Sequence, residues 1–207
     1  MKHFISAIAV LAASSTLALA GGPVTTVAEP EPVAAAPVAV HDWSGAYVGL
    51  GYGKTSGDVA YTPGGTFDLN SGSAASIFAG YLWQRGSLVY GGELAYSRGN
   101  DTYALGFPTE NVERMVDLKA RVGYAANKAL FYGVVGYSSL KYDIPVLTNS
   151  FTTSGVNYGL GMDFAVTKRV TMGIEYLVRN TDGATFNAGQ TADLDVNTIT
   201  LRFGYSF

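Results

Sequence analysis

The chain contains no cysteine, and charged residues make up only 14% of its 207 positions. Without cysteine, disulfides cannot hold the fold together. So little charge argues against the surface of an ordinary soluble protein, which is rich in charged side chains. Beyond the N-terminal region no run of about 18 apolar residues occurs, so a transmembrane helix is not available there. What remains is a sheet protein that spreads its few charges along its strands.

Histidine occurs only at His3 and His41. Hydrolytic enzymes generally use a histidine to activate a nucleophile or a water molecule. Both histidines precede the sheet region described below, so no such site can be assembled within that region. Two carboxylates such as Glu93 and Glu175 can act as acid and base in some enzymes, but here they are better explained as ion-pair partners of arginines. We therefore predict that the protein is not an enzyme.

Several acidic residues fall in predicted loops or directly at their ends, without a recognisable ligand motif. They are oxygen donors that suit divalent cations, yet they lack the spacing of a calcium-binding loop; they are Asp101, Asp182, Asp193 and Asp195. We assign no metal ligand and no cofactor, and interpret them as solvated charge or as contacts with cation-bridged lipopolysaccharide. A net charge of −3 argues against nucleic acid as a partner.

The N-terminal residues have the pattern of an export signal. Lys2 provides a basic start, "FISAIAVLAA" an apolar core, and Ala18-Leu19-Ala20 a cleavage site of small residues. We predict a signal peptide over residues 1–20. Residues 21–42 are rich in proline and alanine, cannot build a core, and are predicted to form a periplasmic tether. Docking of this tether on a periplasmic partner remains an alternative.

From Trp43 onward, apolar residues recur at every second position. The stretches "GAYVGLGYGK", "MVDLKARVGY" and "VTMGIEYLVRN" each place apolar side chains on one face of a strand. The opposite face carries mostly glycine and a few isolated charges. Such a face is a poor solvent surface but a suitable lining for a narrow barrel, whose apolar face then meets lipid.

The lengths of the links between strands support the same architecture. Short and long links alternate, as in a transmembrane barrel with short periplasmic turns and long outer loops. The sequence predicts an all-β fold, an eight-stranded antiparallel up-and-down transmembrane β-barrel at residues 43–207 with both ends in the periplasm. The predicted strands are 44–54, 73–84, 87–98, 113–125, 129–142, 154–166, 170–180 and 195–207.

Aromatic residues are predicted to form two interfacial belts. The first belt, near the short turns, comprises Tyr81, Trp83, Tyr90, Tyr124, Tyr132, Phe164, Tyr205 and Phe207. The second, near the long loops, comprises Tyr52, Tyr96, Tyr142 and Tyr158. Tying the chain's last aromatic stripe into the sheet would prevent its fraying.

The alternation assigns acids and bases in equal number to the barrel interior. These residues are predicted to form a lumen charge network, and they are Glu93, Asp117, Lys119, Arg121, Asp163, Glu175, Arg179 and Arg202. An eight-stranded interior is about wide enough for its own side chains. We therefore expect a closed lumen, with a small porin-like diffusion channel as the alternative.

Two motifs resemble a known family. "DWSGAYVGLGYG", after a Pro- and Ala-rich leader, and "LRFGYSF" are similar to segments of the small outer-membrane β-barrels of alphaproteobacteria, called porin-family or opacity-type surface antigens. The resemblance implies a location in the outer membrane, contact with its lipid and lipopolysaccharide, and a structural and surface-antigen role. It also implies outer loops that contact host factors or phage. It further implies recognition by the barrel-assembly machinery through the stripe Leu201, Phe203, Tyr205 and Phe207.

Overall fold

The computed structural model describes residues 41–100, 111–144, 149–187 and 190–207. The predicted signal peptide and residues 21–40 of the predicted tether lie outside the described residues. Within the described ranges, no helix is long and apolar enough to cross a membrane.

Eight antiparallel strands form a closed barrel in which each strand pairs with its neighbours in the chain and β8 pairs with β1. The predicted fold class is therefore confirmed. The strands are β1 (Gly45–Thr62), β2 (Thr66–Arg85), β3 (Leu88–Asn100), β4 (Asn111–Ala126), β5 (Ala129–Ile144), β6 (Asn149–Ala165), β7 (Val170–Asn187) and β8 (Gln190–Ser206).

Alternation along the strands separates a lipid-facing surface from the interior. On β4, Val116, Leu118 and Val122 are exposed, whereas Lys119 and Arg121 between them are buried. The exposed apolar positions of β3 run from Leu88 to Tyr96, about 26 Å along the strand at about 3.3 Å per residue. At a strand tilt of about 40° this length spans about 20 Å of the membrane, somewhat less than the apolar band of about 25 Å that is typical of transmembrane barrels.

The two ends of the barrel differ in their connections. At the end we call the turn end, residues 86–87, 127–128 and 166–169 connect the strands, as the sequence predicts. Gly86 and Asn127 have φ angles of 61° and 55°, which tight hairpin turns require and which glycine and asparagine tolerate best. We call the opposite end the loop end.

At the loop end the strands extend further than predicted. β1 continues to Thr62 instead of residue 54, and β2 begins at Thr66 instead of residue 73. Residues 57–60 of β1 pair with residues 66–69 of β2, with Asp58 opposite Asp68. Their Gly, Thr and Asp content indicates a loop by local propensity, but pairing with neighbouring strands overrides that preference.

Apolar side chains fill the barrel interior at both ends, which the predicted lining of glycine and charge did not include. The loop-end apolar layer consists of Val59, Leu69, Ala74, Val112, Met115, Leu140, Ala192, Leu194 and Val196. The turn-end apolar layer consists of Trp43, Tyr47, Phe78, Leu82, Val89, Ala125, Leu130, Tyr132 and Ala165. Three further members of the same cluster, Ala95, Val134 and Leu177, lie level with the inward charged residues, with Ala95 opposite Asp117 and Val134 opposite Arg121. Some of the loop-end residues lie in segments assigned to loops, so their inward alternation was not recognised.

The interfacial aromatic residues largely follow the prediction, with one error. Tyr81, Trp83 and Tyr90 lie side by side at the turn end. The ring centroids of Tyr81 and Trp83 are 4.7 Å apart, and those of Trp83 and Tyr90 are 6.0 Å apart. The prediction of Tyr132 as a belt residue is wrong, because Tyr132 lies on the inward face of β5 with Leu130 and is buried. Its closeness to a turn suggested an interface, but the strand period decides its direction. The side chain of Tyr142 lies outside the described residues.

Candidate functional site in the barrel interior

Five strands contribute the eight charged residues of the predicted lumen network to the middle of the barrel. Glu93 comes from β3, Asp163 from β6 and Arg202 from β8, while β4 supplies three residues and β7 two. Each is at most 7% exposed. We call this set of eight residues the charge layer.

Glu93 is the centre of the charge layer. Its carboxylate accepts hydrogen bonds from Arg121 at 3.0 Å and from the hydroxyl of Tyr47 at 2.7 Å. Lys119 Nζ lies 2.7 Å from the same carboxylate, and both terminal nitrogens of Arg202 donate to it. Charge-assisted bonds of this kind are the strongest hydrogen bonds available to a protein.

Two further acids complete the cationic contacts around Glu93. Lys119 Nζ also donates to Glu175 at 2.6 Å, and Arg121 Nη2 donates to Asp163 at 2.6 Å. Arg202 Nη1 lies 3.2 Å from Glu175 Oε1. Three acids and three bases therefore surround one another, which offsets the high cost of withdrawing each charge from water.

A second ion pair lies nearer the loop end. Arg179 donates to both oxygens of Asp117, at 2.8 and 2.7 Å, in a bidentate arrangement. Asp117 also accepts from Ser138 at 2.6 Å, and Asn157 donates to Ser138 at 2.7 Å. Arg179 donates to Thr198 at 2.8 Å. This network joins β4 through β5, β6 and β7 to β8 across the lumen.

Three aromatic residues, Tyr47, Phe78 and Tyr132, support the charge layer, and sequence reasoning missed their role. The guanidinium carbon of Arg121 lies 3.8 Å from the ring centroid of Tyr132, and that of Arg202 lies 3.8 Å from the ring centroid of Phe78. Arginine over an aromatic face is a favourable cation–π arrangement. The inward parity of these aromatics along their strands is the signal that identifies them.

Glycines make room for these rings. A Cβ atom at Gly161 would meet the ring of Tyr132, and one at Gly80 would meet the ring and hydroxyl of Tyr47. The inward glycines therefore do not leave an empty lumen at these positions. They allow large side chains from other strands to lie across the barrel.

The segment before β1 closes the turn end. Trp43 is buried in the turn-end apolar layer, and its backbone N–H donates to Gln84 Oε1 at 2.7 Å. The His41 N–H donates to the carbonyl of Asn127 at 3.0 Å. The Ser44 N–H donates to Asp42 at 2.9 Å and holds the pKa of that carboxyl below its usual value. The "DW" of the sequence motif thus forms a cap over the barrel.

The lumen between this cap and the charge layer holds little free space. A cavity of about 20 Å³ is lined by residues that include Trp43, Arg121, Asp163 and Arg202. Such a volume has room for about one water molecule.

The carboxylates that could in principle serve catalysis are engaged in ion pairs, since Glu93 and Glu175 both contact Lys119 and Arg202. Of the loop-end acids, Asp193 accepts from the Gly183 N–H at 2.7 Å and Asp195 from Asn180 at 2.8 Å. Asp101 lies outside the described residues. Among the described residues, no group of three acids or histidines is arranged to hold a metal ion.

Comparison with known proteins decides the family. A model described as the outer membrane protein beta-barrel domain matches residues 32–207. The chain belongs to this family. It is an outer-membrane β-barrel protein of a non-enzymatic family, located in the bacterial outer membrane and surrounded by membrane lipid. The sequence resemblance to small barrels of alphaproteobacteria is confirmed.

Two relatives and one solved structure are similar to this outer-membrane barrel. The 22 kDa outer membrane protein of Rhizobium leguminosarum bv. viciae is 29% identical over 165 residues, covering 79% of this chain and 72% of that protein. The 31 kDa outer-membrane immunogenic protein of Brucella melitensis biotype 1 is 28% identical over 209 aligned positions, covering 86% of each. Neisserial surface protein A, with a TM-score of 0.51 and 15% identity, covers 79% of this chain and 98% of its own, and the likeness concerns the fold alone.

Proposed function

We propose that this protein is a closed structural barrel of the outer membrane whose loop end forms an antigenic contact surface. The observation that carries the proposal is the filled interior, in which the charge layer lies between two apolar layers. An eight-stranded barrel is about wide enough for its own side chains, and here they occupy it. The Brucella relative is named an immunogenic protein, which supports the antigenic part of the proposal.

The alternative, a diffusion channel, needs a continuous water-filled path along the barrel axis. At the loop end that path would have to cross Met115, Leu140 and Leu194, which are fully buried inside the barrel. In the middle it would have to separate Arg202 from Glu93. Hydrophobic constrictions and paired charges both oppose the passage of ions. These features favour the closed barrel.

The proposed orientation places the loop end outside the cell and the turn end in the periplasm. Cysteines at Gly65, in the β1–β2 hairpin, and at Lys168, in a turn-end connection, test this orientation. A Cβ at Gly65 meets nothing within 4 Å, and Lys168 is exposed, so both changes should be tolerated. We expect an impermeant maleimide to label Gly65→Cys on intact cells and Lys168→Cys only after lysis. The reverse pattern would refute the orientation and the surface role together.

We also propose that the outward stripe of β8 is recognised by the barrel-assembly machinery. Leu201, Phe203, Tyr205 and Phe207 are all exposed on the lipid-facing side of the barrel. Phe207→Ala should reduce the amount of heat-modifiable protein in the outer membrane while export to the periplasm continues. Phe131→Ala, an exposed aromatic on β5, is the matched control. Equal yields for the two variants would contradict a special role for the stripe.

The N-terminal assignments are proposals that accompany this function. Cleavage after residue 20, followed by a tether over residues 21–42, would deliver the barrel to the outer membrane and leave the tether in the periplasm. N-terminal sequencing of the protein recovered from outer membranes tests the cleavage site. A mature chain that begins well outside residues 19–23 would contradict it.

A further inference from the structure

A row of cations crosses the outer surface of the barrel just beyond the apolar belt. Arg98 on β3 lies directly opposite Arg114 on β4, which in turn lies opposite Lys141 on β5. Arg98 and Arg114 are exposed, and Lys141 retains 28% of its side-chain exposure. We call these three residues the basic row.

The basic row is unfavourable when the protein is considered alone. Like charges directly opposite each other on neighbouring strands are destabilising. Among the side chains that the structure describes, the acid facing the row is Glu113, whose carboxylate lies 2.8 Å from Lys141. Within the described ranges, one acid against three bases leaves the basic row with a net positive charge. Arginine is the side chain best suited to binding phosphate through paired hydrogen bonds.

A hollow on the lipid-facing surface begins in the same row. Ala75 on β2 lies directly opposite Arg98. Ala79 lies on the same outward face of β2, nearer the turn end, with Ile77 between the two alanines. Ala79 lies between Val48 on β1 and Leu94 on β3, and Ala75 lies between Tyr52 and Arg98. Two adjoining hollows of about 460 and 660 Å³ result. Both hollows are open towards the lipid along the barrel surface.

The height of the basic row fits the boundary between headgroups and acyl chains. Arg98 lies two residues beyond Tyr96, which belongs to the loop-end aromatic belt, a distance of about 7 Å along the strand. Charged side chains on the lipid face cost little near the interface and much more at the bilayer centre. The basic row is therefore positioned to meet lipid phosphates, with the hollow below it at the depth of the chains.

We propose that this surface is a binding site for the phosphorylated glycolipid of the outer leaflet, the lipid A part of lipopolysaccharide. A phosphate binds Arg98 and Arg114 and relieves their mutual repulsion, while an acyl chain lies along β2 over Ala75 and Ala79. Lys54 on β1 lies opposite Ser73 and adds a cation on the other side of the hollow. The inference rests on the proposed orientation, which places the loop end in the outer leaflet.

Competition between lipids in nanodiscs tests the site. Full-length protein in phosphatidylcholine nanodiscs is offered bis-phosphorylated lipid A, its dephosphorylated form or phosphatidylglycerol, and retained lipid is measured by native mass spectrometry. We expect wild-type protein to retain lipid A and the double variant Arg98→Gln/Arg114→Gln to bind it about tenfold more weakly, as the loss of charged hydrogen bonds predicts. Removal of the phosphates should weaken wild-type binding by a similar factor and affect the double variant little.

Matched variants separate the site from general effects of charge and size. Arg85→Gln/Lys168→Gln removes two exposed cations at the turn end and should leave lipid A retention unchanged. Ala75→Leu/Ala79→Leu should fill the hollow and weaken retention, whereas Ala46→Leu/Ala120→Leu, also on the outer face, should not. Heat modifiability shows that each variant is folded.

Three results would overturn the proposal. These are unchanged lipid A retention in Arg98→Gln/Arg114→Gln, equal loss in the turn-end control, and phosphatidylglycerol retained as well as lipid A. The maleimide labelling of Gly65→Cys and Lys168→Cys reports on the orientation separately. A correctly oriented protein without lipid A preference therefore refutes the site alone.

Discussion

The interior and the outer rim of this barrel use charge in opposite ways. Inside, opposite charges alternate, so that Lys119 lies between Glu93 and Glu175. We call the outer surface at the loop end, beyond the apolar belt, the rim. There, like charges lie next to each other, since Asp58 is directly opposite both Asp68 and Asp195. Buried charge must be neutralised by the protein itself, because the desolvation cost is otherwise too high. Rim charge faces water, ions and headgroups, so it is free to serve contacts with other molecules.

The largest expected effect comes from disrupting the ion pairs in the barrel interior. Arg202→Ala would leave Glu93 and Glu175 with one cationic contact fewer each, and stripping one partner from a buried ion network costs about 3–5 kcal/mol of unfolding free energy. Urea unfolding from detergent micelles measures this cost. Arg98→Ala, the same change on the rim, should shift the unfolding free energy by no more than about 0.5 kcal/mol. Equal losses would contradict the difference between the two regions.

A smaller effect is expected from filling the space beside an interior ring. Gly161→Ala places a Cβ against Tyr132 and should cost about 1–3 kcal/mol through overpacking. Gly133→Ala is the control, because its Cβ would meet no atom closer than 3.9 Å on the outer face. The two variants are compared by their urea midpoints. A tolerated Gly161→Ala would mean that the interior is looser than its packing indicates.

The smallest effect has the opposite sign and concerns the rim. Asp58→Asn removes the charge that faces Asp68 and Asp195, so it should stabilise the protein by about 0.2–1 kcal/mol. The gain should shrink as salt screens the exposed charges. Unfolding midpoints at low and high salt check both statements. A loss of stability would show that the aspartates are held by favourable contacts instead.

The fold could be predicted because its main determinant is local. A period of two fixes the face on which Arg121 or Leu118 lies, and the order of short and long links fixes the strand count. The pairing between strands could not be predicted from such local patterns. Residues 55–62 look like a loop by composition, and only the partner strand shows that they continue β1.

The contacts within the candidate site depend on distances across the barrel, which no local pattern contains. Glu93 and Arg202 are 109 residues apart in the chain, yet they form an ion pair. Which acid meets which base is set by strand stagger and side-chain length. Tyr132 illustrates the same limit, because its inward direction follows from period two whereas its stacking on Arg121 does not.

Single-barrel conductance tests the closed interior most directly. Folded wild-type protein is inserted into planar lipid bilayers beside an open porin of known conductance, and Arg202→Ala is measured under the same conditions. Because the charge layer and both apolar layers fill the lumen, we expect no stable conductance from the wild type and only small, erratic openings from Arg202→Ala. A stable, ion-selective wild-type conductance whose selectivity shifts towards cations in Arg202→Ala would contradict the closed barrel and identify a water-filled channel.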